Sequence, residues 1–149
     1  MPAMKSAFKT VALIGNYNNP EIREQILALA GFMVERQLSI CIEEKTAQHL
    51  DIRDYSTVEM DAIGTKVDLA IVLGGDGTML SVARALADYS IPLIGVNRGR
   101  FGFLTDVSSA SMLETMSSIL DGQFDTEQRI LLSATILRWQ GNQPGPCCE

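Results

Sequence analysis

The sequence predicts an α/β fold, a parallel sheet with helices on both faces. Three observations carry that expectation. Short, continuously apolar segments rich in β-formers recur along the chain. Between them lie segments whose apolar residues repeat every three or four positions. The two kinds alternate, as strand–helix–strand units closing a parallel sheet must.

The elements follow in order. Val11 to Gly15 (VALIG) is a short apolar strand closed by the turn-prone Gly15-Asn16-Tyr17-Asn18-Asn19-Pro20. Ile22, Ile26, Leu29 and Met33 then fall on one helical face, with Pro20 at or just before the first turn, where its missing N–H costs nothing. Leu38 to Ile42 (LSICI) reads as a second buried strand. The stretch from Glu43 to Lys66 is polar and weakly patterned, which suits one or two short helices joined by loops.

Val67 to Leu73 (VDLAIVL) is the clearest strand and runs directly into Gly74-Gly75-Asp76-Gly77-Thr78. A helix follows, with Leu80, Ala83, Leu86 and Ala87 expected on its buried face. Ile91 to Val96 (IPLIGV) is a fourth strand, and Gly95, Gly99 and Gly102 supply turn chemistry around the loop from Asn97 to Asp106. A last helix is expected to open with a capping box, Ser111-x-x-Glu114, to bury Met112, Met116, Ile119 and Leu120, and to stop at Asp121-Gly122. Arg129 to Trp139 (RILLSATILRW) reads as one long strand, followed by a breaker-rich tail from Gly141 to Glu149.

Composition narrows the function. At 149 residues, with 46% hydrophobic and 20% charged residues, the chain has enough apolar material for one packed core. Its net charge is −6 and no run of Lys or Arg forms a stripe, which argues against nucleic acid. A polyanionic ligand would need local positive potential. Cys41, Cys147 and Cys148 provide neither a disulfide framework nor zinc-ligand spacing. No apolar run approaches a membrane span and the N-terminus lacks signal-peptide character, so the expectation is a cytoplasmic protein without a membrane partner. His49, the single histidine, has no partner pattern and suits a solvated or packing role, and Cys41 suits packing in its strand.

Ligands of parallel sheets sit beyond the carboxyl ends of the strands, where loops meet helix N-termini. The segment from Gly74 to Thr78 occupies such a place. Glycines let the backbone approach a phosphate and adopt positive φ, and the free N–H groups and dipole of the following helix favour an anion. Asp76 is the odd member, since a carboxylate repels phosphate. It makes sense as a general base for a hydroxyl nucleophile, as a group that orders magnesium, or simply as a helix cap. No G-x-x-x-x-G-K-[ST] and no G-x-G-x-x-G after a strand is present.

DLAIVLGGDGTML, Asp68 to Leu80, followed by IGVNRGRFGFLTD, Ile94 to Asp106, resembles the first two signature regions of NAD kinases. The resemblance runs from about Val11 to about Arg138. It implies a Rossmann-like three-layer α/β domain over residues 1–124. A strand leading into an all-β NAD-binding domain would then occupy 125–139, with an irregular tail at 140–149. It implies transfer of a phosphoryl group from ATP, or polyphosphate in some members, to the adenosine 2′-hydroxyl of NAD, with a divalent metal such as Mg2+. In that light Asp76 is the proton acceptor, and Gly74, Gly75, Gly77 and Thr78 line the phosphates. Phe103 matches the aromatic beside the NAD adenine, a plain core phenylalanine being the alternative. Asn97 and Arg98 open the second signature loop, with Arg98 either meeting a phosphate or standing as a surface turn arginine, and Gly15 and Asn16 belong to a first loop facing the same edge. A homo-oligomer is implied for the full-length protein.

The chain departs from the family where an Asn-Glu signature and a Gly-rich β segment would follow, and the ending PGPCCE suits a truncated or frame-shifted chain. A fragment of this kind is expected to have little activity alone. The alternatives are a lipid kinase of the diacylglycerol kinase type, which shares GGDGT, and a non-catalytic nucleotide-binding module. The first is disfavoured by RGRFGFLTD and by Met79-Leu80-Ser81-Val82 after the loop, where an Asn-Glu pair would stand.

Overall fold

The computed structural model describes residues 6–98, 102–141 and 143–146, the last four and Gln140 by backbone alone. Six parallel strands form one sheet: β1 (Thr10–Gly15), β2 (Ser39–Glu43), β3 (Ser56–Val58), β4 (Leu69–Leu73), β5 (Leu93–Asn97) and β6 (Val107–Ser108). Their order is β3-β2-β1-β4-β5-β6. The helices are α1 (Glu21–Glu35), α2 (Glu44–His49), α3 (Met60–Lys66), α4 (Asp76–Ala85) and α5 (Met112–Leu120). No helix among the described residues is long and apolar enough to cross a membrane.

The alternation of side chains along each strand explains the three layers. Val11 and Leu13 of β1, with Leu69, Ile71 and Leu73 of β4, meet α1 and α5 in one cluster. Ala12 and Ile14, with Ala70 and Val72, meet Ile63 of α3, Val82 of α4 and Leu86 just after α4 on the other face. The expected face of α1 is buried in full: Ile22, Ile26, Leu29 and Met33 are all 0% exposed. Each such side chain contributes roughly 1.5–3 kcal/mol by leaving water. Asn19 tightens the entry to this helix, its side-chain oxygen accepting the Glu21 N–H at 3.1 Å.

Several expectations are corrected. The stretch 43–66 holds a strand as well as two helices; β3 is three residues long and pairs with β2 alone at the sheet edge. Leu86, just past the end of α4, is buried as expected and Ala83 is half-buried, but Leu80 is 44% exposed and Ala87 lies at the surface, their places on the buried face taken by Val82 and in part by Met79. Leu80 sits one turn after Asp76, so it shares the side that Asp76 turns toward the loop at residues 102–104. Ser111 caps nothing through its side chain; Ser108 instead accepts the Ala110 N–H at the short 3-10 turn that precedes α5. The stop at Asp121-Gly122 is as expected, with Gly122 at φ 91° and its N–H bonded to the Ile119 carbonyl.

Arg129 to Trp139 is not one strand. Only β7 (Leu137–Gln140) is extended in a ladder, as a hairpin with β8 (Gln143–Pro146). A strand needs a neighbour to receive its backbone groups, and among the described residues β8 alone serves. Ile130, Leu132, Ile136 and Trp139 are accordingly 70% exposed or more.

Cys41 is half-buried in β2 and its thiol lies 3.7 Å from the Val11 carbonyl. Burial pushes the thiol above its ordinary pKa, with Lys66 offsetting part of the effect. The thiolate fraction is therefore smaller than that of a free cysteine at every pH below the titration. Site-resolved alkylation by iodoacetamide should be slower at Cys41 than at free cysteine at pH 7, and should rise only above the usual thiol range near about 8.5. Equal rates at pH 7 would contradict this.

Candidate active site at the carboxyl edge of the sheet

The strand order reverses at β1, so a crevice opens beyond the carboxyl ends of β1 and β4. Register puts the ends level: Gly15 pairs with Leu73, and Leu73 pairs with Val96. The next residues stay locked to one another. The Asn16 N–H donates to the Leu73 carbonyl at 2.9 Å, and the Gly74 N–H donates to the Val96 carbonyl at 3.0 Å. Asn16, Gly74, Gly75, Asn97 and Arg98 together line a cleft of about 460 Å³. Five of the residues singled out in the sequence thus meet around one space.

Gly74 is required sterically: a Cβ there would sit 2.9 Å from the Thr78 hydroxyl and 3.3 Å from the Asn16 Cβ. At Gly75 and Gly77 a Cβ would meet nothing within 4 Å, so both face open space. Positive φ is not used here, contrary to expectation; among the described glycines only Gly122 and Gly141 adopt it. The loop instead enters α4 directly, with Gly75 at φ −98° as N-cap. The first intrahelical bond is Met79 N–H to the Gly75 carbonyl at 3.1 Å, which leaves the preceding amides without helical carbonyls. Those amides and the helix dipole supply the local positive potential that a net charge of −6 does not.

Asp76 does not cap its helix. Its carboxylate accepts the Phe103 N–H at 2.9 Å with one oxygen and the Leu104 N–H at 2.9 Å with the other. Gly102 makes this approach possible, since a Cβ there would overlap the Asp76 carboxylate and lie 2.9 Å from the Thr105 hydroxyl. Gly95, inside β5 and not in the loop, serves the same end: a Cβ would meet the Thr105 Cα at 2.9 Å. Asn97 is 2% exposed and its side-chain amide donates to the Thr105 carbonyl at 2.9 Å. Asn97 therefore fastens the second signature loop at its far end. Arg98 is exposed and pairs with Glu21 at 3.1 Å, tying the second loop to the start of α1. Phe103 is 91% exposed, which excludes the core role for its ring. Gly99, Arg100 and Phe101 of the second signature lie outside the described residues, as do Cys147 and Cys148.

The sequence profile described as "ATP-NAD kinase N-terminal domain" matches residues 11–124, which includes every residue of this cleft. The chain belongs to the NAD kinase family. It is 48% identical over 135 residues to an NAD kinase of Nitrosospira multiformis, a match covering 91% of this chain and 46% of the relative. The NAD kinase of Nitrosomonas europaea is 48% identical over 131 residues, with 88% and 44% covered. The chain thus spans about half the length of the curated NAD kinases it matches. Its fold is shared by a yeast NADH kinase determined with NADH, at TM-score 0.64 and 17% identity, over 77% of this chain and 38% of that one.

Part of this NAD kinase domain was not visible in sequence. Thr46 is fully buried; its hydroxyl accepts the Gly15 N–H at 3.2 Å, lies 3.3 Å from the Gly15 carbonyl and donates to Glu43 at 2.7 Å. Glu43, 4% exposed, also accepts the Thr46 and Lys45 amides and so caps α2. This pair fixes α2 to the last residue of β1. The one available signal was an acidic residue followed three positions later by threonine at a strand end, which is too common to single out.

Proposed function

We propose that this chain is the phosphate-holding half of an NAD kinase. In the assembled enzyme, ATP (or polyphosphate) would give its terminal phosphoryl group to the adenosine 2′-hydroxyl of NAD. The observation that carries the reading is the open GGDGT turn at the switch point of the sheet, with Asp76 held beside it by two backbone amides. Gly75, Gly77 and Thr78 present amides to the phosphates, Gly74, whose own N–H is bonded to the Val96 carbonyl, lets them approach closely, and Asn16, rooted on Gly15, closes the cleft on the β1 side. Phe103 offers its exposed ring to the adenine of NAD, and Arg98 adds a cation at the rim.

In the reaction the ribose oxygen bonds to the terminal phosphorus while the bond from that phosphorus to the bridging oxygen breaks, releasing ADP. The hydroxyl proton passes to Asp76. Each carboxylate oxygen retains a lone pair beyond the one bonded to an amide, so the aspartate is oriented without being used up. A divalent metal would arrive with the nucleotide phosphates, since no cluster of three ligating side chains occurs among the described residues to hold one by itself. We place the domain boundary near residue 124. The reading extends to a cytoplasmic protein that is homo-oligomeric when full length, on family resemblance alone.

Rate in phosphoryl transfer depends on holding acceptor and phosphorus in line. The purified chain given NAD, ATP and magnesium should therefore form almost no NADP. Joining residues 1–124 to the remaining part of the Nitrosospira multiformis relative should give a hybrid that forms it. Turnover by the chain alone near that of a full-length relative would refute the half-site reading, and a folded but inert hybrid would refute the assignment of the cleft.

A further inference from the structure

We propose that Tyr17 and His49 form a ring platform for the nucleobase of the phosphoryl donor, on the β2 side of the phosphate loop. This rests on the reading above and extends it to a subsite. The two rings stack with centroids 4.1 Å apart and planes inclined by 18°. Tyr17 remains 39% exposed and His49 lies at the surface, so the pair is open to a third ring.

The position follows from the contacts already described. Tyr17 follows Asn16, which lines the cleft and packs against Gly74. His49 stands one turn after Thr46, whose hydroxyl is tied to both backbone groups of Gly15. The buried Glu43–Thr46 pair therefore sets where the imidazole meets the phenol. The ring is also fixed in orientation, because His49 Nδ1 lies 2.7 Å from the Lys45 carbonyl and so carries the donated hydrogen. In the same loop the Asn19 side chain, 9% exposed, has a buried amide nitrogen with no hydrogen-bond partner among the described residues. A buried donor left over in an otherwise closed turn suits a loop that completes its bonding with a ligand.

When the donor is a nucleotide, two bases lie at the edges of one set of phosphates. Phe103 supplies the first, and its own N–H is bonded to Asp76, so the base beside it belongs to the molecule whose hydroxyl meets that carboxylate. The Tyr17–His49 pair lies on the other side, beyond Asn16 and on the strand side away from β5. It suits the nucleotide that gives up the phosphoryl group. Stacking of this kind tolerates any base, since each has a π face.

The test is calorimetric titration of the 149-residue chain with Mg-ATP and, separately, with inorganic tripolyphosphate. Tyr17→Ala should weaken ATP roughly tenfold while shifting tripolyphosphate less than about twofold, and His49→Ala should follow the same pattern. Tyr17→Phe and His49→Phe, which keep a ring in place, should retain ATP. Circular dichroism on each variant guards against loss of fold. The platform is overturned if both alanine variants hold ATP as tightly as the unmodified chain, or if they lose ATP and tripolyphosphate alike. Failure of the unmodified chain to bind either compound would instead bring down the phosphate-loop reading, and the platform with it.

Discussion

Asp76→Asn in a full-length relative should slow NADP formation on the order of a hundredfold or more, as expected for the loss of a positioned base. The structure adds a second cost. Two backbone N–H groups, at Phe103 and Leu104, point at the two carboxylate oxygens, each at 2.9 Å. An asparagine offers one acceptor oxygen and one NH2 group, so one amide would face a donor and lose its bond. In this chain, the same substitution should therefore speed hydrogen exchange at the Phe103 and Leu104 amides. The two readouts separate the roles: lost rate with unchanged exchange would mean a base only, and faster exchange with a rate change under about threefold would mean a loop fastener only. No change in either would remove Asp76 from the site altogether.

Ile26→Ala should destabilise the domain by about 2–5 kcal/mol, read as a shift in the urea midpoint at constant slope. Ile26 is 0% exposed at the centre of the α1 face, and its Cδ1 would lie 2.9 Å from a Cβ at Gly15. Removing it leaves a cavity directly under the end of β1. Against a typical domain stability of about 5–15 kcal/mol, that is a large fraction. Leu80→Ala is the control, because Leu80 is 44% exposed and the structure predicts a small loss where the sequence pattern predicted a large one. A cost for Ile26→Ala below about 1 kcal/mol would mean that α1 is not packed as described.

What the sequence revealed and what it hid have separable physical causes. Continuous apolar runs marked β1, β2, β4 and β5, because strands covered on both faces have no polar side to show. The edge strands β3 and β6, three and two residues long, carry too few side chains to form a pattern and exist through their neighbours' hydrogen bonds. Two apolar stripes of α4 satisfy the same helical spacing, and only packing against the sheet tells that the one through Met79, Val82 and Leu86 is the buried one. The glycines of the site were legible as glycines, yet not their reasons: Gly74, Gly95 and Gly102 are there for close approach, with none at positive φ. Thr46 and Glu43 were hidden in a polar stretch, since buried polar pairs look like surface residues until their partners are known.

The level ending of the three central strands has a geometric consequence. Gly15, Leu73 and Val96 lie in one row, and neighbouring strands stand about 4.8 Å apart. The loop roots at Asn16, Gly74 and Asn97 are thus spaced by the ladder itself, like the jaws of a caliper whose opening is set at the factory. Widening the mouth would require breaking the Asn16–Leu73 and Gly74–Val96 bonds. The gauge of the site therefore belongs to the sheet and not to its loops.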